Sequence, residues 1–193
     1  MAVNAALVLA SASPRRRQLL AEAGYRCDVH PVDVDESRLP GEAPDRYVER
    51  VARLKADACA RQLAGRTIVA ADTAVVVDDD VFGKPADATD ATRMLERLSG
   101  RAHRVMTGVV VIGRRQVSAV ETTIVQFATL SSSDIVWYVA SGEPMDKAGG
   151  YAIQGLASRF IPRIEGSYSN VVGLPIATLA RLLEEAGTAV VPR

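Results

Sequence analysis

The first group of residues that could do chemistry is a run of cations at the start of a predicted helix. Arg15, Arg16 and Arg17 follow Ser13-Pro14, a pair that suits a helix N-cap and first helical position. The amino end of a helix already carries partial positive charge, so each added cation is unfavourable there by up to about 1 kcal/mol. A bound anion such as a phosphate would remove that penalty. The alternative is that the arginines extend into solvent.

A lysine on the inward side of a second predicted helix, residues 45–63, is the next candidate. At about 100° per residue, Lys55 falls on the half of the helix that carries the apolar side chains. Its ammonium must therefore either reach solvent along its own stem or meet an anion. That anion would be a phosphate or an active-site carboxylate. The apolar residues of that half are Val48, Val51, Leu54, Ala58, Cys59 and Leu63.

Acidic residues supply the complementary charges. Asp72 interrupts the apolar β-type run Thr67–Val77, where a lone carboxylate is costly unless it is paired, hydrogen-bonded or bound to metal. Thr73 beside it offers a hydroxyl and a methyl group to a ligand. Asp35-Glu36 lies in an acidic loop, and without a contact to Asp72 these two carboxylates would simply be solvated. If that loop folds back towards Asp72, the carboxylates could hold Mg²⁺ or Mn²⁺ at a triphosphate.

Two loops add further candidates. Lys84 lies in the corner Gly83-Lys84-Pro85, which indicates either a phosphate contact or an exposed lysine in a turn. Gln154 lies in the glycine-rich stretch 146–155, where the backbone can approach a ligand closely. Its amide offers an acceptor and a donor, which match the O4 and N3–H edge of uracil or thymine. The alternative is a flexible lid that contacts no base.

The elements that position these residues alternate between strand-like and helical segments. Several strands are joined by tight turns, which predicts an α/β protein with a mixed β-sheet and flanking helices. Asp72-Thr73 is expected to break the third strand run, and Trp137 is expected to pack in the core. Predicted strands are 7–10, 25–30, 67–71, 74–77, 81–82, 104–112, 116–127, 160–164 and 168–172, and predicted helices are 13–23, 45–63, 87–98, 131–141 and 175–185.

Composition restricts the class of partner. The 193 residues carry no formal net charge, so no general field favours nucleic acid or an anionic membrane. Cys27 and Cys59 have no metal-ligand spacing and are expected to be free thiols, although one disulfide stays possible. The start of the chain lacks the basic region of a signal peptide, and no window is long enough to span a membrane. A cytoplasmic protein is expected.

Several of these segments occur together in a known family. The run Ser11-Ala12-Ser13-Pro14-Arg15-Arg16 resembles the N-terminal signature of the Maf family of nucleotide pyrophosphatases. Later segments resemble further blocks of that family in the same order and span nearly the whole chain. They are Ala71-Asp72-Thr73, Gly83-Lys84-Pro85, Leu98-Ser99-Gly100, Asp146-Lys147-Ala148-Gly149, Ile153-Gln154-Gly155 and Val172-Gly173-Leu174-Pro175.

The resemblance implies an elongated, two-lobed α/β fold related to the inosine-triphosphate pyrophosphatases, with a deep central groove, formed by residues 1–193 as a single domain. It also implies metal-dependent hydrolysis of a nucleoside triphosphate to the monophosphate and pyrophosphate, and a possible homodimer. Arg15, Thr73 and Gln154 resemble the dTTP/UTP branch, whereas the 7-methyl-GTP branch has Trp, Gln and Glu at those positions. By the same resemblance Asp72 is the proton acceptor.

The resulting hypothesis is a dTTP/UTP pyrophosphatase that uses Mg²⁺ or Mn²⁺ bound by Asp35, Glu36 or Asp72. Asp72, or alternatively Glu36, takes a proton from the attacking water. Four cations neutralise the phosphates, while Ser11 or Ser13 orients them with the helix amino end. The alternatives are a pyrophosphatase for a modified purine nucleotide such as 7-methyl-GTP, and a non-catalytic regulator of septum formation. The four cations are Arg15, Arg16, Lys55 and Lys84.

Overall fold

A computed structural model describes residues 6–188. The ends of the single domain expected over 1–193, and the first residues of the stretch compared with a signal peptide, lie outside the described residues. The strands are β1 Leu7–Leu9, β2 Cys27–Val29, β3 Ile68–Val77, β4 Asp80–Phe82, β5 Ala102–Ile112, β6 Gln116–Gln126 and β7 Arg163–Glu165. The α-helices are α1 Pro14–Glu22, α2 Pro44–Gln62, α3 Ala88–Leu98, α4 Ser132–Ala140, α5 Tyr168–Val172 and α6 Ile176–Glu185. Three short 3-10 helices cover Glu143–Asp146, Ala148–Gly150 and Leu156–Phe160.

The strands form one mixed sheet, as the sequence predicted. Its order is β2-β1-β3-β5-β6-β7, with β4 paired to β3. β1 pairs in parallel with both β2 and β3, whereas the β3–β4 and β6–β7 pairs are antiparallel. The chain divides into two compact units, and the boundary crosses β3 between Asp72 and Thr73.

The first unit comprises residues 6–72, 107–121 and 173–188 of the described chain. Its core forms where one side of α2 packs on β1 and β3, because the small residues Ala52 and Ala56 let the helix lie close to the sheet. Gly108 of β5 allows the same close approach: a Cβ built there would lie 2.4 Å from the carbonyl oxygen of Val48. This packing fixes the inward face of α2, which carries Lys55.

The second unit comprises residues 73–106 and 122–172. Its core joins β3 side chains to α3, α4 and aromatic residues of the following loops. His103 lies in this core, where its Nε2 and the hydroxyl of Tyr151 are 2.7 Å apart and Phe127 packs edge-on against both rings. Burial lowers the pKa of His103 to about 3, so the ring is neutral. It is a core histidine.

Three local expectations were wrong. β3 runs unbroken through Asp72-Thr73, because Asp72 is compensated by a cation and keeps its place in the ladder. Residues 168–172 form a helix instead of a strand, since the Ser167 hydroxyl accepts from the backbone N–H of Asn170 and caps it. Trp137 is 42% exposed, with the guanidinium of Arg159 4.8 Å from its ring.

The expected cap of α1 and the two expected free thiols are confirmed. Ser13 caps α1 and Asp87 caps α3, each by accepting from a backbone N–H three residues on. Cys27 and Cys59 are both free thiols. Among the helices described within residues 6–188, none combines the length and the hydropathy that a membrane span requires.

Candidate active site

Lys55 is the centre of the candidate site in the first unit. Its Nζ lies 2.8 Å from Asp72 Oδ1 and 2.9 Å from Glu36 Oε1. The Lys55 and Asp72 side chains are only 10% and 9% exposed, whereas that of Glu36 is 52% exposed. The inward lysine predicted from the helical pattern therefore meets carboxylates instead of extending to solvent. Leu54, which was expected on the same face, is 39% exposed.

The acidic loop reaches Lys55 because an arginine of α2 holds it. Arg50 donates from Nε to Glu42 Oε1 at 2.6 Å and from Nη2 to the carbonyl of Ser37 at 2.8 Å. This charge-assisted pairing lowers the pKa of Glu42 and raises that of Arg50. Glu36 precedes Ser37 directly, so the same contacts fix its place beside Lys55. Neither Glu42 nor Arg50 was singled out from the sequence.

Asp35 does not join the cluster. Its Oδ1 accepts from the backbone N–H of Ser37 at 2.9 Å, which forms a local turn. Hydrogen bonds with the Ser37 side chain and with this backbone N–H lower the pKa of Asp35. Glu36 and Asp72 are thus the two carboxylates that the structure brings together. That Asp35, Glu36 and Asp72 bind a metal ion stays a prediction, of which the structure brings Glu36 and Asp72 together at Lys55.

The amino end of α1 forms the adjoining part of the first unit. Arg16 donates from Nη1 to Ser11 Oγ at 3.0 Å and from Nε to the carbonyl of Gly173 at 2.8 Å. Ser11 Oγ also accepts from the backbone N–H of Ser13. Arg16 therefore connects the loop before α1 to the segment before α6. Two of its guanidinium nitrogens, Nε and Nη1, donate hydrogen bonds to groups of the protein. Arg15, one residue earlier, is half-buried at the same helix end.

Charges in this unit influence one another over short distances. Burial raises the pKa of Asp72, Lys55 and Arg16 oppose that rise, and the negative charge of Glu36 adds to it. Burial also lowers the pKa of Arg16, against the attraction of Asp72. Tyr47 of α2 belongs to the same surroundings: burial and the charges of Asp72 and Glu36 raise its pKa to about 12. Tyr47 precedes Lys55 by eight residues, a spacing that places both on one side of a helix.

The remaining predicted residues belong to the second unit. Thr73 follows Asp72 in β3, and successive side chains of a strand point to opposite faces, so the two leave the strand on opposite sides. Lys84 is exposed in its Gly-Pro corner, and Gln154 is exposed in the turn before the 3-10 helix Leu156–Phe160.

The donor atoms of the first unit suit a hard divalent ion. Among residues 6–188 there is no group of three or more His, Cys, Asp or Glu side chains placed to hold a metal by themselves. Glu36 and Asp72 supply carboxylate oxygens, and Lys55 takes one oxygen of each. Mg²⁺ in phosphate sites is commonly bound by one or two carboxylates together with substrate phosphates and waters. The pair fits that pattern.

The coupling between Glu36 and Asp72 is directly testable. We expect Asp72 to titrate above the ordinary aspartate range, and Glu36→Gln to lower its pKa, because that change removes a neighbouring negative charge. A ¹³C NMR titration of the Asp72 carboxyl in wild-type and variant protein measures both values. A Glu96→Gln variant changes an exposed carboxylate of the second unit and serves as the control. An unchanged Asp72 titration in Glu36→Gln would contradict the coupling.

Solved structures place this fold in a known class. The HAM1 protein of Coxiella burnetii aligns with a TM-score of 0.54 at 18% identity, over 94% of this chain and 100% of that one. The Ham1 protein of Staphylococcus aureus aligns with a TM-score of 0.52 at 17% identity, over 93% and 98% of the two chains. Identities this low establish the fold alone, which is that of the Ham1 proteins.

Sequence relatives identify the family. Residues 6–186 match the family model described as Maf-like protein. A dTTP/UTP pyrophosphatase of Anaeromyxobacter dehalogenans strain 2CP-C is 55% identical over 188 residues, which covers 94% of each chain. A dTTP/UTP pyrophosphatase of Myxococcus xanthus is 51% identical over 181 residues, covering 94% of this chain and 92% of the relative. The chain belongs to the Maf family.

Proposed function

We propose that this protein hydrolyses UTP and dTTP to the nucleoside monophosphate and pyrophosphate. The observation that carries the proposal is the buried Asp72 carboxylate, held by Lys55 and accompanied by Glu36 in the first unit. A buried, cation-paired carboxylate whose pKa is raised is suited to accept a proton from water. The two relatives described above, each more than half identical, carry this activity in their names.

The chemical step is an attack by water on the α-phosphorus. The water oxygen forms a bond to the α-phosphorus while the bond to the bridging oxygen of the β-phosphate breaks. Asp72 accepts the proton that the water loses, and pyrophosphate leaves with the electrons of the broken bond. Lys55 orients Asp72 through a contact of 2.8 Å and opposes the rise in its pKa. Orientation and electrostatic stabilisation supply most of the rate enhancement.

The phosphates are assigned to the basic residues and the amino end of α1. Helix N–H groups and the positive end of the helix dipole favour an anion at this position. Arg15 and Lys84 are assigned as direct phosphate contacts, and Ser13 continues to cap the helix. Arg16 keeps Ser11 in place through its 3.0 Å hydrogen bond, so we assign it to support of the phosphate site.

A divalent ion, Mg²⁺ or Mn²⁺, is part of the proposal. Glu36 and Asp72 would hold it, and the bound ion would neutralise phosphate charge and polarise the reacting phosphate. The exposure of Glu36, at 52% of its side chain, leaves this carboxylate accessible to an ion arriving with the nucleotide. We also keep the single domain, the possible homodimer and the cytoplasmic location expected above as parts of this proposal, with no role for nucleic acid or membrane.

Gln154 is assigned to recognition of the pyrimidine base. Its amide can accept from N3–H and donate to O4 of uracil or thymine. We expect Gln154→Glu to lower kcat/KM for UTP and dTTP by about 10- to 100-fold, because a carboxylate cannot donate to O4 and leaves that acceptor unsatisfied. The Mg²⁺ concentration for half-maximal rate should stay within about twofold of wild type, since the metal carboxylates are untouched. Steady-state kinetics with both nucleotides measures these values, and unchanged pyrimidine selectivity would refute the base-reading role.

A nucleotide panel tests the function itself. Purified protein is given UTP, dTTP, CTP, ATP, GTP and 7-methyl-GTP, with Mg²⁺, with Mn²⁺ or with EDTA, and pyrophosphate release is measured. The proposal predicts the highest kcat/KM for UTP and dTTP and loss of release in EDTA. Preference for 7-methyl-GTP would favour the purine alternative. Binding without turnover would favour the regulator.

A further inference from the structure

The turn that carries Gln154 is held at both ends by one pair of side chains. That pair is Tyr138 of α4 and Glu143, which opens the first of the three 3-10 helices. The Tyr138 hydroxyl donates to Glu143 Oε1 at 2.9 Å. Tyr138 is fully buried in the core of the second unit, so the pair is anchored to rigid structure. We call Tyr138 and Glu143 the turn clamp.

Glu143 binds the carboxyl-terminal end of the turn. Its Oε2 accepts from the backbone N–H of Leu156 at 3.0 Å, and its Oε1 accepts from that of Ala157 at 3.4 Å. These two N–H groups belong to the first residues of the 3-10 helix Leu156–Phe160. N–H groups at the start of a helix have no acceptor within the helix itself. The residue at the N-cap position of this helix is Gly155, which has no side chain to cap it. The Glu143 carboxylate takes the place of that cap.

Tyr138 binds the amino-terminal end of the same turn. Its hydroxyl oxygen accepts from the backbone N–H of Ala152 at 3.2 Å while its proton goes to Glu143. The residue before Ala152 is also fixed, since the Tyr151 hydroxyl lies 2.7 Å from His103 Nε2. Gln154 thus lies between two backbone positions whose N–H groups are bound by the turn clamp.

The turn also lies directly against the Glu143 carboxylate. A Cβ built on Gly155 would stand 2.2 Å from Glu143 Oε2, a distance that no real side chain tolerates. A larger residue at this position would force the Glu143 carboxylate to move. The backbone at Gly155, immediately after Gln154, therefore lies against the carboxylate that binds the next two N–H groups.

We propose that Glu143 is a positioning residue for base recognition. It fixes the backbone after Gln154 directly and the backbone before it through Tyr138, so that the Gln154 amide meets the pyrimidine edge. The inference rests on the proposed function, in which Gln154 reads the base. Glu143 itself contacts neither phosphate nor metal in this scheme. Its contribution is preorganisation, which lowers the ordering cost of binding.

Glu143→Gln is expected to loosen the turn and weaken nucleotide binding without removing the chemical step. One carboxylate oxygen becomes an NH₂ group, which cannot accept a hydrogen bond from a backbone N–H. Amide hydrogen exchange of Leu156 and Ala157 should become about tenfold faster. KM for UTP should rise about tenfold, whereas kcat should change less than about threefold. Tyr138→Phe keeps the ring in the core and should accelerate exchange at Ala152.

A double-mutant cycle with Gln154→Ala separates positioning from a general structural role. If Glu143 acts through Gln154, Glu143→Gln should cost little in the Gln154→Ala background, because the group it positions is already gone. Glu96→Gln, an exposed carboxylate of the same unit, should change neither exchange nor KM. Additive losses in the cycle, or unchanged exchange in both clamp variants, would overturn the inference. Wild-type protein that releases no pyrophosphate from any nucleotide would defeat the proposed function first.

Discussion

Asp72→Asn is expected to reduce kcat for UTP by about 10²- to 10⁴-fold, the range typical for removal of a general base. The fold should be retained, because asparagine has the same shape as aspartate. In the wild-type protein Lys55 Nζ lies 2.8 Å from Asp72 Oδ1, and the amide oxygen of asparagine can accept the same hydrogen bond. The rate is measured by pyrophosphate release at saturating nucleotide and Mg²⁺. Thermal unfolding followed by circular dichroism shows whether the variant is folded.

Asp79→Asn is the matched control for this prediction. The Asp79 side chain is fully exposed, so its loss of charge should leave turnover unchanged. Turnover near the wild-type rate in Asp72→Asn would remove Asp72 as the proton acceptor. Glu36, the other carboxylate on Lys55, would then be the residue to test, and Glu36→Gln should show the loss instead.

Lys55→Met is expected to have the second large effect, on stability as well as on rate. It leaves the Asp72 carboxylate, only 9% exposed, without its nearest cation. Breaking a buried pair in this way costs about 3–5 kcal/mol of unfolding free energy, because one charge stays buried and uncompensated. Asp72 should then be protonated more readily, since Lys55 is among the charges that lower its pKa. Urea unfolding and pyrophosphate release measure the two effects.

The double variant Lys55→Met/Asp72→Asn distinguishes this cause from simple loss of packing. Removing the uncompensated charge should recover much of the lost stability while turnover stays low. Arg46→Met changes a cation of the same helix whose side chain is 76% exposed, and it should leave stability and rate near wild type. A double variant no more stable than Lys55→Met would show that the ion pair is not the source of the loss.

The sequence predicted the parts of the site that depend on local patterns. Helical periodicity placed Lys55 on the inward face of α2, and the polar interruption of an apolar run marked Asp72 as a buried carboxylate. Both signals depend only on neighbouring residues along the chain. The expected break in β3 was wrong because Lys55, 17 residues earlier, compensates the Asp72 carboxylate. Strand propensity is a property of the local sequence and carries no information about such a distant partner.

Contacts between segments that are distant in the sequence were harder to predict. Whether Asp35 or Glu36 would turn towards Lys55 depends on one local hydrogen bond to Ser37 and on Arg50 holding the loop. The link from Arg16 to Gly173 joins residues 157 positions apart, and nothing in the sequence pattern pairs them. The helix at Tyr168–Val172 was missed for a similar reason: its buried Asn170 donates to the carbonyl of Val105 in β5 and to the hydroxyl of Thr123 in β6.

Hydrolysis of UTP in ¹⁸O-labelled water tests the central claim most directly. With Mg²⁺ present, attack on the α-phosphorus places one ¹⁸O atom in UMP and none in pyrophosphate, and mass spectrometry of the two products reads this out. We predict labelled UMP and unlabelled pyrophosphate from the wild-type protein, and formation of both at least about 100-fold more slowly from Asp72→Asn. Label in pyrophosphate, or release of inorganic phosphate in its place, would contradict the mechanism.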